Sequence, residues 1–332
     1  MIKLTIPANG IFEGGGVKAF AILGALHEAE KRGYAWVNVA GTSAGAIIAS
    51  FIAAGYTADE IKEMVWDLDF KKFKDKDWLG QIPYLGLPLR LWFKNGLYRG
   101  VFLENWIRQV LADKGIHTFK DLVLKDFEND SKCRYKLVVI ATDVSQRKLL
   151  RLPYDIKDYN IDPDDLDVAS AVRMSANLPF FFEPYTLAYF DTKKLKRYSY
   201  IIDGGVLSNF PVWIFDREKA PPWPTLGFKI IEPDSINPIR ITNPFDLFKA
   251  TLTTMLEAHD RLFEIDPKSA VRTIPIPSLG IKTTDFDIIS EQKEKLFMSG
   301  IQATNSFFTG WDFDTFKAHF YNPGEIIPVP KR

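Results

Sequence analysis

A serine set between glycines, Gly41-Thr42-Ser43-Ala44-Gly45, stands where a short β-prone run, Trp36 to Ala40, gives way to the uncharged apolar stretch GAIIASFIAAG. A serine held on a sharp strand-to-helix turn has a strained backbone and an exposed hydroxyl, and glycines beside it let strand and helix approach closely. That arrangement suits nucleophilic attack on an acyl carbon. Two further glycine turns carry complementary chemistry. Gly14-Gly15-Gly16-Val17-Lys18 precedes a helical pattern, where unpaired backbone amides face outward and can hold a developing oxyanion, each contributing about 3 kcal/mol. Lys18 stands in a first helical turn, where a cation opposes the helix dipole, so helix stability alone does not explain it. Asp203-Gly204-Gly205 ends the apolar run Tyr200-Ile201-Ile202, and strand ends are where open α/β sheets place their chemistry. A carboxylate there can take a serine proton directly once burial raises its basicity toward working pH.

Two other readings compete for the same residues. Gly14, Gly16 and Ala19 satisfy a relaxed dinucleotide fingerprint, which also requires an acidic residue at the end of the second strand to hold a ribose. That strand reads Val37-Asn38-Val39-Ala40 and runs into the serine turn, so the ribose ligand is missing. A conventional serine esterase needs a histidine, and the chain has four: His27, His117, His259 and His319. His259 gives the order Ser43, Asp203, His259 of a Ser-Asp-His triad. It falls on the apolar stripe of a helical pattern, where a packed histidine is commoner than a base.

The elements that must position these turns are legible in outline. From Ile11 to about Leu68 the pattern is strand, glycine turn, helix, strand, serine turn, helix, and then a third helix beginning at Ala58 behind a Thr57–Glu60 capping box. Residues 78–102 break the pattern with Gly, Pro and six aromatics, from Trp78 to Phe102. This stretch reads either as an irregular insertion packed on the core or as an interfacial face beside a lipid-binding cleft. Further on, the spacing predicts helices over 103–112 and 162–174, strands over 135–142, 198–203 and 226–231, a turn at Pro221 to Pro224, an amphipathic helix over 245–263 and a last helix from Glu291 to about Thr309. Alternating strands and helices with no linker predict one domain over 1–332.

Composition narrows the function classes. Lys plus Arg equals Asp plus Glu at 42 each, so no overall field draws the chain to nucleic acid or an anionic bilayer. With 332 residues and 46% apolar content the chain can bury a large core. The one cysteine, Cys133, cannot form an internal disulfide and reads as a small core residue. The N-terminus shows no export signal and no apolar run spans a bilayer, so the expected location is cytoplasmic.

Taken in order, Gly-Gly-Gly-x-Lys, Gly-x-Ser-x-Gly and Asp-Gly-Gly resemble the signature of patatin-like phospholipases. Ala141-Thr142-Asp143, the run Ala171 to Pro179 before Phe180 to Pro184, and Ser208-Asn209-Phe210-Pro211 are similar to that family too, and the resemblance covers about residues 10–215. It implies a three-layer α/β/α sandwich around a mainly parallel sheet, with hydrolysis of fatty acyl esters through an acyl-serine. Position by position, it makes Ser43 the nucleophile, Asp203 the base without histidine, and residues Gly14 to Lys18 the oxyanion loop. It implies no metal or organic cofactor, and a lipid as the molecule bound. Asn177-Leu178-Pro179 departs from the family, where small residues are commoner. The rivals are a conventional esterase using His259 and a catalytically idle binding domain of the same fold.

Overall fold

The computed structural model describes residues 5–75, 91–232, 241–242, 250, 254, 266–283, 285 and 287–321. Apart from Ala250 and Thr254, the expected helix over 245–263, with His259, lies outside the described residues, as does the segment 78–90.

The glycine turn and the serine turn each follow a strand of one mixed sheet. Strands β1 (Ile6–Phe12), β2 (Tyr34–Thr42) and β4 (Leu137–Asp143) carry helices α1 (Ala19–Lys31), α2 (Ala44–Ala53) and α3 (Ala58–Trp66) between them. β4 is buried along its whole length, as its uninterrupted Leu-Val-Val-Ile run requires. With β5 (Lys148–Leu152), β7 (Tyr185–Phe190), β8 (Lys196–Asp203), β9 (Thr225–Ile231) and β10 (Thr273–Pro277), the eight-stranded order is β10-β9-β1-β2-β4-β8-β7, with β5 also on β4. β10, β9, β1, β2 and β4 run parallel, whereas β5, β7 and β8 are antiparallel to their neighbours. The α/β sandwich expected from the family resemblance is the fold observed.

One face of the sheet carries the larger core. There α1, α2 and α3 pack with α4 (Val101–Ala112), α5 (Val168–Ser175) and α7 (Ser290–Phe308) around Phe12, Phe51, Val139 and Leu296. The α1–α7 seam is tight because Gly24 and Gly300 let the backbones touch; a Cβ on Gly24 would lie 1.9 Å from the Phe297 carbonyl oxygen. The opposite face holds a smaller cluster of Ile11, Ala40, Val138, Ile140, Phe210 and Val212, in which Cys133 is indeed a buried core residue. A separate two-stranded parallel pair, β3 (Gly96–Tyr98) with β6 (Phe180–Phe182), sits apart from the main sheet.

Several expected boundaries hold. The capping box is formed, with the Glu60 amide donating to Thr57 Oγ1 at 3.2 Å and the Thr57 amide to Glu60 Oε2 at 2.7 Å. The helix expected over 162–174 is shorter: a 3-10 turn at Pro163–Asp165 precedes it, and α5 begins only at Val168. Asp162 and Asp167 each cap their own turn, accepting from Asp164 N and Ser170 N, so two caps divide what reads as one helix. The expected last helix is α7, and α6 (Pro267–Val271) and α8 (Phe313–Tyr321) were not anticipated. Among the described residues no helix is long and apolar enough to cross a membrane.

Candidate active site

Ser43 and Asp203 meet because two strands run head to head along one edge of β4. β5 occupies Val139 to Asp143 on one edge of that strand, so β2 and β8 must share the other. β2 is parallel to β4 and ends with Thr42 opposite Ile140; β8 is antiparallel and ends with Asp203 opposite Ala141. The two strand termini therefore abut, although 160 residues separate the side chains that follow from them (203 less 43).

The serine sits on a strained turn. Its φ of 55° and ψ of −126° lie in a region that side chains with a Cβ rarely enter, and it leads directly into α2 at Ala44. The turn closes on β1, since a Cβ on Gly45 would lie 2.2 Å from the Phe12 carbonyl oxygen. The Ser43 amide donates to Ser175 Oγ at 2.9 Å, and Thr42 Oγ1 donates to the Ser208 carbonyl at 3.0 Å.

Asp203 is buried, and its surroundings are apolar enough to push its pKa up to about 6. The Ser43 hydroxyl and the Gly205 amide hold that rise in check. Gly205 N donates to Oδ1 at 2.8 Å, whereas Oδ2 is buried with no hydrogen-bond partner among the described residues. Hydroxyl and carboxylate are therefore neighbours that have not closed to a full hydrogen bond.

The glycine loop presents two free donors. Gly14 N is engaged by the Asn209 carbonyl at 3.2 Å, Val17 N by Thr283 at 3.2 Å and Lys18 N by Gly15 at 3.1 Å. The amides of Gly15 and Gly16 have no partner among the described residues. Asn209 grips the loop on both sides, because its Nδ2 also donates to the Gly14 carbonyl at 3.1 Å. Lys18 is tied instead to Glu232, whose other carboxylate oxygen accepts from Ser278 Oγ at 2.6 Å. The unusual lysine thus fastens the loop to the end of β9.

An apolar cavity of about 140 Å³ opens beside Ser43. Ala44, Ile47, Ile48 and Phe51 line it at the i, i+3, i+4, i+7 spacing of one face of α2, so it runs two turns, about 10 Å, along that helix. Phe73 and Trp106 add an aromatic wall, their centroids 5.9 Å apart, and Trp106 meets Phe51 at 5.5 Å. Phe181 and Phe182 line the cavity, while Phe180 does not; it is exposed with a φ of 65°. Of the expected 78–102 face, Tyr98 is buried, Phe102 packs against Phe73, and Trp92 and Phe93 are 83% and 67% exposed.

The histidines divide differently. His27 bonds Asp59 Oδ1 at 2.6 Å, His117 lies in a connector where its amide donates to Asp121, and His319 meets the Phe320 ring edge-on. None of the three lines the cavity. Among the described residues no group of His, Cys, Asp and Glu is arranged to hold a metal. Sequence reasoning assigned no role to Ser175, Asn209 or Thr283, nor to Phe51, Phe73 and Trp106. The α2 stripe was visible in principle, but on a helix apolar all round no face stands out.

Several known proteins are similar to this chain. A chain from Bacillus subtilis (strain 168), uncharacterized protein YqhO, is 37% identical over 312 residues, covering 92% of this chain and 99% of its own. Probable lipid hydrolase 463L of Invertebrate iridescent virus 6 is 27% identical over 204 residues, 61% of each chain. VipD from Legionella pneumophila has a similar fold, with a TM-score of 0.52 at 18% identity over 93% of this chain and 67% of that one. The family model for patatin-like phospholipase matches residues 10–216, which takes in the glycine loop, the serine turn and Asp203, and the chain belongs to that family.

Proposed function

We propose that the protein is a lipid acyl hydrolase, of phospholipase A or esterase type, that works through a Ser43–Asp203 dyad without histidine. Asp203 takes the Ser43 proton, and the alkoxide attacks the ester carbonyl. The amides of Gly15 and Gly16 hold the oxyanion, and the leaving alkoxide departs with the proton from Asp203. Water then gives its proton to Asp203 and attacks the acyl-serine; the serine recovers a proton as the acid leaves. The acyl chain lies in the cavity along α2. Exposed Trp92 and Phe93 support transient contact with a lipid surface.

The observation that carries this reading is the abutting of β2 and β8, which brings a buried carboxylate with a free oxygen to a serine on a strained turn. A fluorophosphonate probe tests it. Covalent capture at Ser43, with Ser43→Ala losing roughly 10⁴-fold or more in ester hydrolysis, is the expected result. An inert serine in folded protein means an idle binding domain. Loss of activity on His259→Ala, with Asp203→Asn keeping more than a trace, means a conventional triad.

A further inference from the structure

One short segment touches both members of the proposed dyad. At the end of α5, Ser175 Oγ accepts the Ser43 amide at 2.9 Å, and two residues later the Asn177 carbonyl accepts the Asp203 amide at 2.9 Å. Asn177 Nδ2 also donates to the Ile201 carbonyl at 3.0 Å, gripping the end of β8 at a second point. Ser175 and Asn177 are both fully buried.

The segment is itself anchored by Arg173, a guanidinium only 3% exposed. Its Nη1 donates to Asn177 Oδ1, its Nε to the Gly100 carbonyl at 2.9 Å, and its Nη2 to the carbonyls of Arg99 at 2.8 Å and Glu183 at 3.3 Å. It also lies 4.9 Å over the Phe182 ring. Burying a guanidinium costs desolvation that these hydrogen bonds must offset, so its presence is weak evidence for stability alone. What a planar fork supplies is fixed direction. Here it ties the β3–β6 pair, whose Phe181 and Phe182 wall the cavity, to the strand end that carries Asp203.

We infer that residues 173–177 form a bracket that sets the distance between Ser43 and Asp203, with Ser175 and Asn177 as positioning residues and Arg173 as their anchor. The inference rests on the dyad reading. The bracket acts from the main chain outward: Ser175 Oγ pins the amide of the strained serine, while Asn177 pins the last peptides of β8. Neither side chain touches the reacting atoms. Small errors in such placement cost catalysis heavily, about 100-fold for an ångström.

The test uses Ser175→Ala, Ser175→Thr and Asn177→Ala in the full chain, with p-nitrophenyl butyrate as substrate and Ser43 titrated by fluorophosphonate. Titration counts competent molecules, so partial unfolding lowers the count without changing turnover per labelled serine. Ser175→Ala is expected to lose roughly 10- to 100-fold in kcat per labelled serine with KM within about twofold, and Ser175→Thr to recover most of it. Asn177→Ala is expected to move the acid limb of kcat/KM down from about 6, as a loosened β8 terminus lets water reach the carboxyl. Parental turnover per labelled serine in Ser175→Ala, with a parental acid limb in Asn177→Ala, overturns the bracket and leaves the dyad standing. Failure of the parent protein to label at Ser43 overturns both.

Discussion

The two ends of the cleft are built by opposite means. At the chemical end, backbone groups do the positioning: strand termini abut, amides of Ser43 and Asp203 are pinned, and Gly15 and Gly16 carry amides without a partner among the described residues. At the apolar end, the walls are side chains from α2, α4 and the 70–73 turn, held by ring contacts with no direction finer than fit. Hydrogen bonds fail over tenths of an ångström, whereas apolar packing tolerates exchange of similar volumes. One end should therefore be brittle in rate, and the other should yield in specificity.

The largest break in that contrast comes from Asp203→Asn. Activity should fall about 10³-fold, the worth of a general base. Stability should move the other way. A carboxyl whose pKa is raised by folding binds its proton more tightly in the folded state, so its contribution is complete below about pH 4 and is lost as pH rises through about 6. Asparagine never pays that charge. The variant should be more stable than the parent by up to about 3 kcal/mol at pH 7.5, with the difference gone near pH 4. Denaturant midpoints at the two pH values check this, and equal midpoints at pH 7.5 would mean that the carboxyl is hydrated.

A smaller break is expected at Gly16. Its φ is +53°, and a Cβ there would lie 2.1 Å from the Thr283 carbonyl oxygen, so alanine must displace the loop. Losing one aligned oxyanion donor costs about 3 kcal/mol, or roughly 100-fold in kcat. KM for a short ester should hardly change, because the apolar end is untouched. A rise in KM with kcat intact would place the loop in binding rather than in transition-state stabilisation.

The same contrast explains what the sequence alone could show. Ser43, Asp203 and the glycine loop were legible because a strained turn or a bare amide demands particular residues at particular spacings. Ser175 was not, since a serine near a helix end has many ordinary uses and its partner lies 132 residues away. Asp162 and Asp167 hid a break in one helical pattern because either reads equally well as a polar helical residue. β3 and β6 have three residues each, too few for periodicity to register, and β5 and β7 gain their place from partners rather than from pattern. Cavity walls were the least legible: Phe51, Phe73 and Trp106 meet only after three separate elements have packed.

The apolar end should show its tolerance through Trp106→Ala. A cavity of about 140 Å³ is close to the roughly 150 Å³ that admits benzene in an engineered apolar cavity, so about six carbons fill it. Across a series of straight-chain p-nitrophenyl esters, kcat/KM should rise up to about fourfold per methylene, the worth of about 0.8 kcal/mol each, and level off near six acyl carbons. Trp106 sits half-buried between Phe51 and Phe73, and removing its indole opens the wall at the cost of about 3 kcal/mol of stability. The plateau should then move to longer chains by several carbons, with kcat for the acetate ester within about threefold of the parent, because the proposed dyad is held from elsewhere. A plateau that stays at the same chain length would mean that acyl chains leave Ser43 by another route, and the cavity along α2 would lose its role.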